Sequence, residues 1–295
     1  MEKILITGGS GLLGSKLADR LIKGGRYEVT HTYLGRPFFP DSLRLDVSDR
    51  SGVFGLIGRL KPDVVIHTAA QTNVDRCETN RKEAWAINAE GTRNIAEACA
   101  RVNAKVIYLS TDYVFDGKRG MYTEEDEPNP ISYYGLTKLE GENHVRTLCP
   151  DHLIARSSVL YGWHPWKPNY VTWVIGSLRE GKPISVVDDH YNSPTLADNL
   201  AEVLERIVER DVRGILHTAG AERIDRYSFA LRIARIFGLD EHLITPIKMK
   251  DLKAWIARRP EDSSLNVKKA ERDLGVRLLG IKEGLETMLG QAQKP

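Results

Sequence analysis

Directly after its first apolar run, Ile4-Leu5-Ile6, the chain carries Gly8-Gly9-Ser10-Gly11-Leu12-Leu13-Gly14, with glycine at the first, fourth and seventh places of one turn. The run from Lys3 to Thr7 is too short for a buried helix and reads as a central strand covered on both faces. Leu12, Leu13, Leu17, Leu21 and Ile22 then recur at helical spacing until Gly24-Gly25. Strand, tight turn and helix in this order let a backbone approach a pyrophosphate, whose charge the exposed N–H groups of the helix N-terminus can hold. Glycines alone also make a plain strand-to-helix turn. Their position after the first strand is what points to a dinucleotide, held by Gly8, Ser10, Gly11, Leu12, Leu13 and Gly14.

The same alternation continues. Glu28–Tyr33 reads as a strand, Val53–Leu60 as a helix, Val64–Thr68 as a strand, Arg81–Val102 as one long helix and Lys105–Ser110 as a strand. A helix from Tyr133 to about Leu148 and a strand from His152 to Arg156 follow. Strands alternating with helices imply right-handed crossovers and an α/β, doubly wound parallel sheet of the Rossmann type. After Gly162 the regularity fails, with Trp163, Pro165, Trp166 and Pro168 crowded together, so a smaller, interleaved C-terminal substrate lobe is expected. Val186–Thr195 reads as a loop with a short strand, Leu196–Glu209 as a helix, and Gly214–Thr218 as a strand able to rejoin the main sheet. The expected division is 1–160 with about 190–220 for the dinucleotide domain, and about 161–189 with 221–295 for the substrate lobe.

Composition narrows the function. A chain of 295 residues with 41% hydrophobic and 28% charged residues has ample core, and no apolar run approaches the roughly 20 residues of a membrane span. The net charge of +2 is spread without a basic block, which argues against nucleic acid as a partner. Cys77, Cys99 and Cys149 are an odd set in no metal-binding spacing, and read as reduced, buried thiols. With no signal-like leader before the first strand, a cytoplasmic location is expected. Oligomeric state is not legible, and a homodimer stays open.

Several residues bear chemistry. The end of the second strand, Thr32-Tyr33-Leu34-Gly35-Arg36, lacks the carboxylate that would bond a ribose 2′-hydroxyl, while Arg36 can pair with a 2′-phosphate. NADP(H) is therefore the expected cofactor, with NAD(H) possible; Arg36 as a solvated loop residue is the plainer alternative. Asp46 could accept from an adenine amino group or cap the next segment, with Val47 beside it. Tyr134 and Lys138, four apart in a helix, share one face. An ammonium beside a phenol, with a positive nicotinamide nearby, would lower the tyrosine pKa and fit it for acid–base work. Thr111, just past a strand, could orient a carbonyl, or simply cap the strand end.

The order of glycine turn, post-strand hydroxyl and Tyr-x-x-x-Lys resembles the extended short-chain dehydrogenase/reductase superfamily. The resemblance tightens over Ser110-Thr111-Asp112-Tyr113-Val114-Phe115-Asp116-Gly117, Tyr122-x-Glu124-Glu125 and Tyr134-Gly135-Leu136-Thr137-Lys138-Leu139-Glu140-Gly141-Glu142. These stretches are similar to the dTDP-4-dehydrorhamnose reductase family. Pro62–His67, Asn88, Gly91-Thr92, Arg156-Ser157-Ser158, Ser193-Pro194-Thr195 and Arg259-Pro260-Glu261-Asp262-Ser263 extend the likeness along nearly the whole chain.

The resemblance implies NADPH-dependent reduction of a nucleotide sugar's C4 ketone, giving dTDP-L-rhamnose. By that likeness Tyr134 donates the proton, Lys138 lowers its pKa and holds the nicotinamide ribose, and Thr111 polarises the ketone. Ala69, Ala70 and Gln71 would line the cofactor, and Asn88 would support the site, although a satisfied core amide is a comparable reading. Asp112 and Tyr113 would meet the substrate. Where the family usually places a base-stacking tryptophan, this chain has Val159. Trp163 or Trp166 could replace it, or pack the lobe interface. Arg258 and Arg259 are candidates for a substrate diphosphate, with an exposed basic pair as the alternative. The early metal-contacting glutamate of some relatives is absent, Ser15 and Lys16 standing there, so no metal is expected and Asp188-Asp189 reads as loop. The regulatory subunit of methionine adenosyltransferase shares the fold, the NADP site and the missing tryptophan, which keeps a non-catalytic NADP-binding role open beside another reductase or epimerase of nucleotide sugars.

Overall fold

The computed structural model describes residues 1–292. The first half alternates as its apolar periods dictate: β1 (Glu2–Thr7), α1 (Leu12–Gly24), β2 (Tyr27–Tyr33), β3 (Leu43–Arg44), α2 (Arg50–Leu60) and β4 (Val64–His67). Next come α3 (Val74–Thr79), α4 (Arg81–Trp85), a π-helical turn (Ala86–Glu90), α5 (Gly91–Val102), β5 (Lys105–Thr111), α6 (Tyr133–Leu148) and β6 (His152–Ser157). The long helix expected over Arg81–Val102 is thus interrupted, and α3, too short to show a period, precedes it. Beyond β6 lie β7 (Leu160–Tyr161), α7 (Tyr170–Arg179), β8 (Ile184–Val187), β9 (Tyr191–Asn192), β10 (Thr195–Leu196) and α8 (Ala197–Glu209). The chain continues through β11 (Gly214–His217), β12 (Ile224–Asp225), α9 (Arg226–Phe237), β13 (Ile244–Ile247), α10 (Lys268–Leu274) and α11 (Ile281–Ala292).

Seven strands form one sheet in the order β11-β6-β5-β4-β1-β2-β3, and every pair in it is parallel. Successive residues of each strand face opposite sides, so a parallel sheet needs two apolar covers. Ile4, Ile6, Ile66 and Ile107 enter a core with α1 and α8, while Leu5, Val65, Val106 and Ile154 enter a second with α2 and α5. Chain order reverses between β1 and β4, and a doubly wound sheet opens a crevice at such a point, beyond the carboxyl ends of its strands. The glycine turn leaves β1 there, Thr68–Gln71 leaves β4, and Thr111 ends β5.

The smaller lobe is built from paired short strands, β7 with β10, β8 with β13, and β9 antiparallel to β12. Its core gathers Val171, Val174, Phe229, Ile233, Leu285 and Met288 from α7, α9 and α11. The lobes interleave through β11, which rejoins the main sheet beside β6. Leu265, Val267, Ala270 and Leu274 pack into the main-sheet core with α8, so α10 departs from the expected assignment of 221–295 as one block to the substrate lobe. Its apolar residues are the cover that the sheet edge at β11 needs.

Candidate active site

The crevice is a cleft of about 760 Å³ whose floor is the glycine turn and whose far wall carries Thr111, Tyr134 and Lys138. Gly8 adopts φ +72°, and a Cβ there would lie 2.8 Å from the Ala69 nitrogen. At Gly14 a Cβ would lie 2.9 Å from the Gly9 Cα and closer still to the Gly8 carbonyl oxygen, so α1 can start against the turn only with glycine. Gly11 precedes α1 with no side-chain cap, and the first turn of α1 holds no acidic residue. Uncapped N–H groups at a positive helix end fit an anionic pyrophosphate. Ser10, Leu12 and Leu13 line the same floor, with Tyr33, Asp46 and Val47 along the flank expected to hold an adenosine. Asp46 Oδ1 accepts from the Ser48 N–H at 2.9 Å, while Asp49 supplies the cap of α2.

Ala69, Ala70 and Gln71 form the opposite flank. Asn88, buried on the π-helical turn, clamps it: Oδ1 accepts from the Gln71 N–H at 2.8 Å, and Nδ2 donates to the Gln71 carbonyl at 3.0 Å and to Thr137 Oγ1 at 3.1 Å. The amide is thus satisfied and also positions the flank. Behind it, Thr92 donates to the Asn88 carbonyl at 2.6 Å, so His67 Nε2–H donates to Thr92 at 3.1 Å and His67 Nδ1 accepts from Thr7 at 2.6 Å. Burial, aided by Lys138, pulls the His67 pKa down to about 3, which keeps this relay neutral.

At the reacting end, Ser132 caps α6 and sets Tyr134 in its first turn. The Tyr134 phenol is pushed above its ordinary range by burial, opposed by the neighbouring Thr111 hydroxyl. The lowering expected of Tyr134 rests on a positive nicotinamide beside it and is a proposal for the cofactor-bound protein. Burial acts on Lys138 as well and brings its pKa down to about 7. Its ammonium donates to the Leu109 carbonyl at 2.8 Å and lies 4.1 Å over the Tyr108 ring. Thr111 donates to Asp112 Oδ1 at 3.0 Å and accepts from the Tyr113 N–H at 3.2 Å. Asp112 is buried and its pKa raised by that burial, against donors from both lobes. Ser158 and Ser263 donate to Oδ2 at 2.8 and 2.6 Å, and Asn192 at 3.4 Å. Tyr113 stands edge-on to Tyr134 at 5.9 Å, its phenol pushed up to about 12 by burial.

Not every candidate reaches the cleft. Arg36 is exposed outside the lining and stacks 4.3 Å over Trp166. Trp166 also meets Phe38 at 5.5 Å, which makes it a lobe-interface side chain. Trp163 turns into the second lobe, donating to the Met288 carbonyl at 2.7 Å against Phe237. It therefore does not occupy the stacking place proposed for it. Val159 does line the cleft, in a left-handed conformation (φ +40°) that costs a β-branched residue energy. Arg258 is exposed and away from the lining, and Arg259 is committed to Asp75 at 2.8 Å. The cleft contains instead an arginine the sequence reading passed over, Arg226. It stands at the start of α9 after an Asp cap, a signal for a helix end but not for a ligand. Ser158 and Ser263 lie in stretches that carried the family likeness and Asn192 stands just before one, yet their shared acceptor became visible only in the fold.

A family model described as RmlD substrate binding domain matches residues 1–294. A dTDP-4-dehydrorhamnose reductase of Aggregatibacter actinomycetemcomitans is 33% identical over 99% of this chain and 100% of its own. The crystal structure of a Bacillus anthracis dTDP-4-dehydrorhamnose reductase in complex with NADP superposes with TM-score 0.89 at 31% identity, covering 98% of this chain and 99% of that one. Methionine adenosyltransferase 2 subunit beta of Rattus norvegicus is 32% identical over 96% of this chain and 87% of its own.

Proposed function

The chain belongs to the RmlD substrate binding domain family, and from that premise we propose that it is an NADP-dependent oxidoreductase reducing the C4 ketone of a dTDP-6-deoxy-hexulose to dTDP-L-rhamnose. One observation carries the reading: a single cleft joins an uncapped helix N-terminus, built for a dinucleotide, to Thr111, Tyr134 and Lys138 at its other end. The relative bound to NADP supports the same cofactor here.

In this proposal NADPH supplies a hydride to the ketone carbon. Tyr134 gives its phenolic proton to the ketone oxygen, for which a phenol held protonated by burial suits the reductive direction. Lys138, charged below about pH 7 in the free chain, leaves the Leu109 carbonyl for the nicotinamide ribose and stabilises the phenolate as it forms. Thr111 turns its hydroxyl from Asp112 Oδ1 to the ketone, while three donors stay on Asp112 Oδ2 and hold the carboxyl in place. Gly8–Gly14 hold the pyrophosphate, and Ala69, Ala70 and Gln71 line it opposite. Arg36, just outside the lining next to Leu34 and Gly35, makes no ion pair among the described residues and would take a 2′-phosphate emerging at that edge, with Trp166 on its other face. Arg36→Ala should weaken NADPH roughly 10-fold or more and leave NADH nearly unchanged; equal weakening of both removes Arg36 from that site. Three buried cysteines with no disulfide among the described residues suit work in a reducing compartment.

The test is to mix the protein with NADPH and dTDP-4-keto-6-deoxy-L-lyxo-hexose and follow absorbance. The reductase reading predicts NADPH oxidation with formation of dTDP-L-rhamnose. Tight NADPH binding with no oxidation would sink it. In that event the likeness to methionine adenosyltransferase 2 subunit beta supports a regulatory role, read out by co-purification with a methionine adenosyltransferase.

A further inference from the structure

Four cations line the cleft: Arg76, Lys138, Lys167 and Arg226. Arg76 is held by Glu83 at 2.7 Å, Lys138 by the Leu109 carbonyl, and Lys167 is exposed at the rim. Arg226 differs from all of them. Its guanidinium is partly buried and makes no hydrogen bond or ion pair with any described residue, lying 4.8 Å over the Tyr170 ring. Its backbone is fixed from three sides. The Tyr170 hydroxyl donates to the Arg226 carbonyl at 2.7 Å, the Arg226 N–H donates to the His190 carbonyl at 3.2 Å, and β12 pairs with β9 immediately before it. Tyr170 in turn stacks on Phe229 at 5.5 Å. A guanidinium this well anchored and left without a counter-ion has its charge held for something that binds.

The position selects what that is. Arg226 adjoins the reacting end: its N–H donates to the His190 carbonyl, the His190 ring lies 3.5 Å from the Tyr113 hydroxyl, and the Tyr113 ring stands 5.9 Å from that of Tyr134. The N-terminus of α1 is the site proposed for the cofactor pyrophosphate and carries no arginine of its own. Asp112 is not its partner, since no pairing within 4.0 Å joins them and the Asp112 oxygens already accept from Ser158, Ser263, Asn192 and Thr111. We infer that Arg226 is the substrate-side phosphate anchor, binding the diphosphate of the nucleotide sugar through its planar fork while Tyr170 supports its other face. This rests on the nucleotide-sugar reading for the class of substrate. A phosphate on the sugar's anomeric carbon lies across the ring from C4, so an anchor beside Tyr113 holds the ketone toward Tyr134.

The experiment titrates NADP-saturated protein with dTDP, dTMP and thymidine by calorimetry, using wild type, Arg226→Ala, Arg226→Lys and the outlying control Arg258→Ala. The inference predicts that Arg226→Ala weakens dTDP by roughly 10- to 100-fold, with Arg226→Lys in between. Thymidine binding, NADPH binding and Arg258→Ala stay at wild-type values. Unchanged NADPH affinity also shows that the variants are folded. Equal dTDP affinity in Arg226→Ala and wild type overturns the anchor. If the wild type binds no dTDP, the dTDP-sugar reading fails separately, and UDP, GDP and CDP are titrated next: Arg226-dependent binding of any of them upholds the anchor, and binding of none overturns it.

Discussion

The proposed reaction places opposing demands on Lys138: it would carry charge to serve a phenolate, yet it is almost wholly buried. Its pKa is near 7 in the folded chain against an ordinary 10.5. Between those values the folded protein binds fewer protons than the unfolded chain, so stability rises with pH from 7 toward 10.5 and is lowest at and below 7. Lys138→Met should abolish turnover and raise stability by roughly 1–3 kcal/mol at pH 7, a gain that fades toward pH 10 in thermal melts. A gain that grew with pH would contradict the assignment. Tyr134, Lys138 and Thr111 were legible in sequence because their spacing on one helix and one strand end is local. Arg226 and Arg259 were not separable there. What distinguishes them is a carboxylate 184 positions from Arg259, in contact only after folding.

At the scale of elements, the glycine turn succeeds because β1 and α1 meet with no room for side chains. Gly14→Ala puts a methyl group against the Gly8 and Gly9 backbone, which has no rotamer to yield. It should cost NADPH affinity at least 10-fold, by fluorescence titration. Gly58→Ala, exposed in α2 with nothing within 4 Å of an added Cβ, should instead stabilise the fold by about 0.5–1 kcal/mol with NADPH binding unchanged. The two outcomes together separate a packing requirement from helix propensity. The bounds of α6 match the sequence reading because a cap at Ser132 and a long period announce them. The π-helical turn at Ala86–Glu90 was hidden, since its period differs from that of α4 and α5 over only five residues. The two-residue strands of the smaller lobe were equally hidden, because a period of two cannot be read from one repeat.

For the whole molecule, the proposed reaction would have the smaller lobe hold a substrate against a cofactor bound by the larger. Asp75 on α3 is one tie between them. Its Oδ1 accepts from the Ile256 and Ala257 N–H groups at 2.9 Å each, and its Oδ2 from Arg259 at 2.8 Å. These bonds and Arg259 hold its carboxyl below the ordinary range despite burial. Asp75→Ala should raise KM for the sugar nucleotide several-fold while leaving NADPH affinity intact, and a change in NADPH affinity alone would show that the tie serves the other ligand. The central claim is that this cleft brings cofactor and proton donor to one carbonyl. Its most direct test is Tyr134→Phe, measured for both NADPH binding and NADPH oxidation with the dTDP-4-keto sugar. The account predicts wild-type binding with turnover reduced at least 10²-fold; binding and turnover both near wild type would contradict it.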